Sequence, residues 1–170
     1  MATENPSALW SLTTAAARAQ AQPWLQELAK EGIRKTCQHL AAAWSRGDVA
    51  GLGDILAIDC DHLTLARVRQ MKRGRAELVN SWASAFARRS AEFSVRMTAA
   101  LHSIRLLKDD LALVDGDLEY SSGIGPGGTL QGRCSQPFAA VMARVEGDWM
   151  IQSMRVGAAM PVSKIVRCEN

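Results

Sequence analysis

No apolar run in this sequence approaches the roughly eighteen residues that a membrane-spanning helix requires, so any lipid contact is expected to be peripheral. The glycines between Gly123 and Gly128 are not followed by Gly-Lys-Ser/Thr, and neither a dinucleotide fingerprint nor a nucleophile elbow occurs, which argues against the phosphate-cradling and serine-hydrolase chemistries that depend on them. The four cysteines, Cys37, Cys60, Cys134 and Cys168, form no CxxC pair and no dense framework, and they read as reduced, mostly buried thiols of a cytoplasmic protein. Asp59-Cys60-Asp61-His62 is the closest approach to a metal cluster, but strand alternation would divide it between two faces, so no metal is expected. A net charge of +3 with both signs interspersed lacks the electrostatic footprint of a nucleic-acid binder. The N-terminus has no basic n-region and carries Glu4, which argues against a secretory signal.

What is present is patterning. The 170 residues suit one domain, expected over 23–158, with an extension rich in Ala, Gln, Ser and Thr at 1–22 and a tail at 159–170. Pro23 is suited to the first turn of a helix. Leu25, Leu28, Ala29, Ile33, Cys37, Leu40, Ala41 and Trp44 recur at three- and four-residue intervals and predict one apolar helix face. Gly47 can close that helix in the left-handed conformation, and Asp48 can cap the next, which carries Leu52, Ile55 and Leu56.

The run Cys60 to Leu65 alternates and predicts a strand; the basic stretch Arg67 to Arg75 reads as a solvated loop. A third helix is expected from about Arg75 to Arg89, with Leu78, Val79, Trp82, Ala85 and Phe86 at helical spacing. From Phe93 onward the period is two, predicting strands at 94–107, 111–120, 130–145 and 149–156, with a Gly-rich loop at 121–129. Helices followed by a run of strands predict an α+β domain whose helical layer covers one face of a curved antiparallel sheet.

This order and punctuation resemble the nuclear transport factor 2-like superfamily, in its SnoaL-like and ketosteroid-isomerase-like branch. The residues that carry the resemblance are Trp44 with Gly47-Asp48, Leu52 and Asp59, then Gly74-Arg75, Ile104-Arg105-Leu106 before Asp110 to Val114, and Gly147-Asp148-Trp149-Met150-Ile151. The resemblance implies a cystatin-like cone around an apolar cavity, commonly dimeric through the outer face of the sheet. It implies no cofactor, and it does not specify an activity, since this fold hosts isomerases, dehydratases, cyclases and binding domains.

Strand parity puts Cys60, His62 and Thr64 on one face and Asp59, Asp61 and Leu63 on the other. By resemblance the His62 position looks into the cavity, where an imidazole can move a proton near neutral pH; a histidine bonded to a rim carbonyl is the alternative. Asp59 either caps backbone amides or orients His62. Tyr120 falls on the apolar face of its strand, where its hydroxyl could polarise a carbonyl or be satisfied by backbone. Arg155 shares a face with Trp149, Ile151 and Ser153 and could hold a carboxylate or enolate, or form a salt bridge at the sheet edge. Trp44, Trp82, Phe86, His102, Phe138 and Met142 are the expected substrate-binding residues. Arg67, Arg69, Lys72, Arg73 and Arg75, read above as a solvated loop, could alternatively dock an anionic partner such as a carrier-protein helix or a phosphate-bearing substrate. The combined expectation is a cofactor-free isomerase, cyclase or dehydratase acting on an apolar, carbonyl-bearing, polyketide-like substrate, or a non-catalytic binding or scaffold domain of the same shape.

Overall fold

The break after Trp44 organises the helical layer. In the computed structural model, which describes residues 6–65, 69–89, 93–124 and 129–162, helix α1 (Pro6–Arg46) ends where Gly47 takes φ +68°. The Gly47 N–H donates to the Trp44 carbonyl at 3.2 Å and the Asp48 N–H to the Ala43 carbonyl at 2.9 Å, the paired bonds of a Schellman closure. Asp48 then accepts the Gly51 N–H at 2.9 Å and opens α2 (Val49–Asp54). Such a cap contributes about 1 kcal/mol.

Helix α1 differs from expectation at its other end, running unbroken through Pro23, which therefore does not begin it. Among the residues whose side chains are described, the first fully buried one is Ile33, and Leu25 and Leu28 are about half exposed. From Ile33 onward the expected face holds, with Cys37, Leu40 and Ala41 buried.

Strands β1 (Leu56–Leu65), β2 (Arg69–Arg73), β3 (Phe93–Lys108), β4 (Leu111–Ile124), β5 (Thr129–Val145) and β6 (Asp148–Val156) form one sheet in the order β2-β1-β6-β5-β4-β3, and β7 (Met160–Pro161) pairs with β5. Helix α3 (Arg75–Ala87) lies between β2 and β3 in the chain and packs on β1 and β2. Pairing is antiparallel except for β1 with β6, which run parallel. Two expectations change. Residues 69–73 are a strand rather than a loop, and Met160–Pro161, expected in the tail, extend the sheet. Arg67 and residues 125–128 of the expected Gly-rich loop lie outside the described residues; Ser121 to Ile124 continue β4.

Helix α1 rests on β3 and β6. The buried Thr36 hydroxyl donates to the Trp149 carbonyl at 2.7 Å, and Ser45 Oγ accepts the Met97 N–H at 2.8 Å. These bonds fix the helix end, and with it Trp44, over the sheet. The core beneath includes Leu52, Leu56, Val114 and Met142, all at most 1% exposed.

Among the register shifts in the sheet, one on β6 and one on β3 reset the side-chain parity of residues singled out above. On β6, Met142 pairs with Ile151 but Val141 with Ser153, so Gln152 is an extra residue. Trp149 and Ile151 before it are buried, and after it Met154 and Val156 are, while Ser153 and Arg155 turn to the outer face. On β3, Leu101 pairs with Gly116 and Ser103 with Asp115, leaving His102 as the extra residue. Ile104 consequently packs toward the core, off the face that carries His102. No helix among the described residues is long and apolar enough to cross a membrane.

Candidate functional site

A cavity of about 670 Å³ lies between the inner face of the sheet, the end of α1 and one stripe of α3. The stripe is Leu78, Ser81, Trp82, Ala85 and Arg88, the three- and four-residue spacing of a single helix face. Leu40 and Trp44 close the cavity from α1; Met97, Leu118, Met154 and Val156 form its apolar wall. Polar groups enter from several strands, among them His62 and Thr64 of β1, Gln70 and Lys72 of β2, Tyr120 of β4, and Cys134 and Gln136 of β5. His62 and Lys72 are cross-strand partners, as are Thr64 and Gln70, so alternation in both strands turns these four side chains to one side.

Four rings follow one another around the wall. His62 meets Trp82 edge-on at 6.2 Å, Trp82 meets Trp44 at 5.7 Å, and Trp44 meets Tyr120 at 6.5 Å. Behind Trp44, Phe86 packs edge-on at 5.0 Å, and the Arg89 guanidinium lies 4.1 Å from the Phe86 ring centroid and 5.4 Å from that of Trp44. The Trp44 Nε1–H is buried and has no acceptor among the described residues.

The titratable groups have distinct states. Burial, then the positive field of Arg155, pushes the His62 pKa down, with Asp61 opposing, so the imidazole is neutral at neutral pH. Burial, then Cys134, pushes Tyr120 far above the usual phenol value despite Arg89, so the hydroxyl stays protonated and can donate. Among the described residues neither His62 nor Tyr120 has a side-chain hydrogen bond to protein, which leaves an acceptor-capable imidazole and a donor phenol directed to whatever fills the cavity. The two strands that carry them are three strand spacings apart, about 14 Å along the curved sheet. The Cys37 thiol, by contrast, is pushed up to about 12 by burial in the core, and burial also raises Cys60.

No sequence model of a known protein family matches the chain, and no curated protein does. Solved structures do. A nuclear transport factor 2-like protein of unknown function from Shewanella oneidensis aligns over 76% of this chain and 98% of its own, at 14% identity and TM-score 0.59. The fold is nuclear transport factor 2-like. A scytalone dehydratase-like protein from Novosphingobium aromaticivorans covers 84% of this chain and 92% of its own at TM-score 0.66 and 12% identity. A ketosteroid isomerase-like protein from Erwinia carotovora atroseptica covers 76% and 92% at TM-score 0.57 and 15% identity.

Within this nuclear transport factor 2-like cone, the residues singled out from sequence separate into two groups. His62, Tyr120, Trp44 and Trp82 line the cavity. The others do not. Asp59 is exposed and accepts a hydrogen bond from Gln152 Nε2 at 2.9 Å, so it does not orient His62. Arg155 lies on the outer face, where its guanidinium grips both carboxylate oxygens of Asp61, one of them at 3.2 Å, and Ser153 donates to the same carboxylate at 2.7 Å. The Gln152 bulge is the cause: without it Arg155 would share the face of Ile151, as simple alternation predicts. The Arg155 bond holds the Asp61 carboxyl below its ordinary range. His102 is largely exposed and faces Asp117 at 3.3 Å on the outer side. Phe86 braces Trp44 from behind, Phe138 is buried beside Gly116, and Met142 is fully buried in the core, so none of the three touches the cavity.

Sequence reasoning did not place Gln70, Lys72, Ser81 or Arg88 in the cavity; Lys72 was assigned to the basic run alone. The alternation Gln70, Lys72 against Arg69, Met71, Arg73 was the available signal in β2, masked by the basic run; in α3, Ser81 and Arg88 extend the stripe already marked by Leu78, Trp82 and Ala85.

Proposed function

We propose that the chain binds a small, largely apolar, carbonyl-bearing molecule of polyketide type and catalyses a cofactor-free proton transfer on it, as an isomerase, cyclase or dehydratase. The observation that carries this reading is the convergence on one cavity of a neutral imidazole and a protonated phenol, each without a protein partner among the described residues. His62 takes a proton next to the carbonyl, Tyr120 donates to the oxygen as negative charge develops there, and Trp44 and Trp82 hold the rings. The test is turnover of a ligand co-purified with the protein and identified by mass spectrometry. His62→Ala should lower turnover by roughly 10²–10⁴-fold and Tyr120→Phe by roughly 10²–10³-fold. Unchanged turnover in both variants would remove the catalytic assignment.

A second reading, binding without catalysis, is favoured by one observation. No carboxylate among the described residues orients His62, since Asp59 is committed to Gln152 and Asp61 to Arg155 across the sheet. Ligand recovered unaltered after prolonged incubation would select it. A cytoplasmic homodimer through the outer face of the sheet belongs to either reading. The half-buried cross-strand pair Leu113 and Val141 on that face supports it, and sedimentation equilibrium tests it.

A further inference from the structure

The polar groups of the cavity are unbalanced in a way that proton transfer does not require. Among the described residues no aspartate or glutamate lines it, while Lys72 and Arg88 do. Lys72 stands beside His62 on the neighbouring strand, and its ion pair with Glu77, at 3.6 Å, comes from a side chain outside the cavity lining. Arg88 closes the cavity-facing stripe of α3 and makes no ion pair among the described residues. Arg133 also borders the rim, but its place opposite Ser121 turns it to the outer face with Glu119, its ion-pair partner at 3.8 Å, whereas Lys72 lies opposite His62 on the inner face. Lysine and arginine can only donate, and so can the buried Trp44 Nε1–H, which has no acceptor among the described residues. Apart from His62, the side chains that distinguish this cavity therefore call for oxygen acceptors and negative charge.

We propose that the cavity selects an acidic ligand: an apolar ring system bearing a carboxylate, with the rings against Trp44 and Trp82 and the carboxylate drawn by the positive charge that Lys72, beside the first turn of α3, and Arg88, at its end, bring to the lining. This inference rests on the small-molecule reading above and narrows it, since His62 and Tyr120 would act on a carbonyl of the same molecule. Charge-assisted hydrogen bonds from ammonium and guanidinium are roughly twice as strong as neutral ones.

Two commercial probes with the same ring separate charge from shape: 2-naphthoate and the methyl ketone 2-acetylnaphthalene, each titrated into the full chain by calorimetry. The naphthoate should bind about tenfold or more tighter at low ionic strength, and the gap should narrow as salt is added. In Lys72→Gln/Arg88→Gln the gap should shrink to about twofold with the ketone affinity retained, which also shows that the variant is folded. Equal binding of the two probes to the wild-type chain would overturn charge selection while leaving the small-molecule reading intact. Binding of neither would overturn both. A double variant that keeps the full naphthoate advantage, or loses both probes alike, would overturn the assignment to Lys72 and Arg88.

Discussion

Gly116 sits in the middle of β4, where the wall of the cone has no space for a methyl group. A Cβ built there would lie 2.3 Å from the Ala100 carbonyl oxygen and 2.9 Å from Phe138 Cε1. An ordinary carbon–oxygen contact is about 3.3–3.6 Å, so Gly116→Ala requires β3 to retreat by about 1 Å. Overpacking of this kind costs roughly 1–3 kcal/mol, and the upper end applies because the obstructing oxygen is backbone, held by the ladder on both sides of the His102 bulge. Urea unfolding followed by circular dichroism should show a lower midpoint at an unchanged slope. The clash with Phe138 is the smaller part, so placing Gly116→Ala in a Phe138→Leu background should relieve less than half of the loss. A substitution within about 0.5 kcal/mol of wild type, the range of a neutral surface change, would refute the reasoning, as would full relief by Phe138→Leu.

Burial holds His62 neutral in the folded chain, so as pH falls the unfolded chain takes up its proton first, at the ordinary value of 6.5. The stability this contributes is complete above pH 6.5 and is lost as pH falls toward the lower folded value; chemical denaturation at a series of pH values should show that limb flattened in His62→Gln. On the outer face, Arg155→Met should cost less than about 1 kcal/mol, because the pair is about one-third exposed, and should leave the affinity of any cavity ligand unchanged; a tenfold loss measured by calorimetry would contradict its placement. Ser45→Ala strips the Met97 N–H of its acceptor and should cost about 1–3 kcal/mol in thermal or urea unfolding.

The helix break, the three helices and the four long strands were legible in the sequence because each rests on local chemistry: a glycine able to take positive φ, a capping aspartate, and periods of 3.6 and two; the short strands β2 and β7 were not. Residues of the site were legible only while parity ran unbroken. His62 and Thr64, and Leu118 and Tyr120, lie on uninterrupted stretches and face the cavity together. Arg155 and Ile104 lie beyond bulges, and a bulge is a property of two strands at once, set by how many residues each spends between shared pairing points. Asp59 failed for a related reason. Its partner Gln152 is the bulged residue itself, ninety-three positions away and invisible to alternation. Pro23 misled because its preference for a first turn is a local statement, whereas α1 continues through it.

The bulge at Gln152 also makes the character of the cavity wall a matter of counting. Removing one codon there would bring Ser153 and Arg155 around to face His62 and send Met154 and Val156 outward, exchanging a greasy wall for a charged one without altering any other residue. Lengths, as much as identities, write the chemistry of this container.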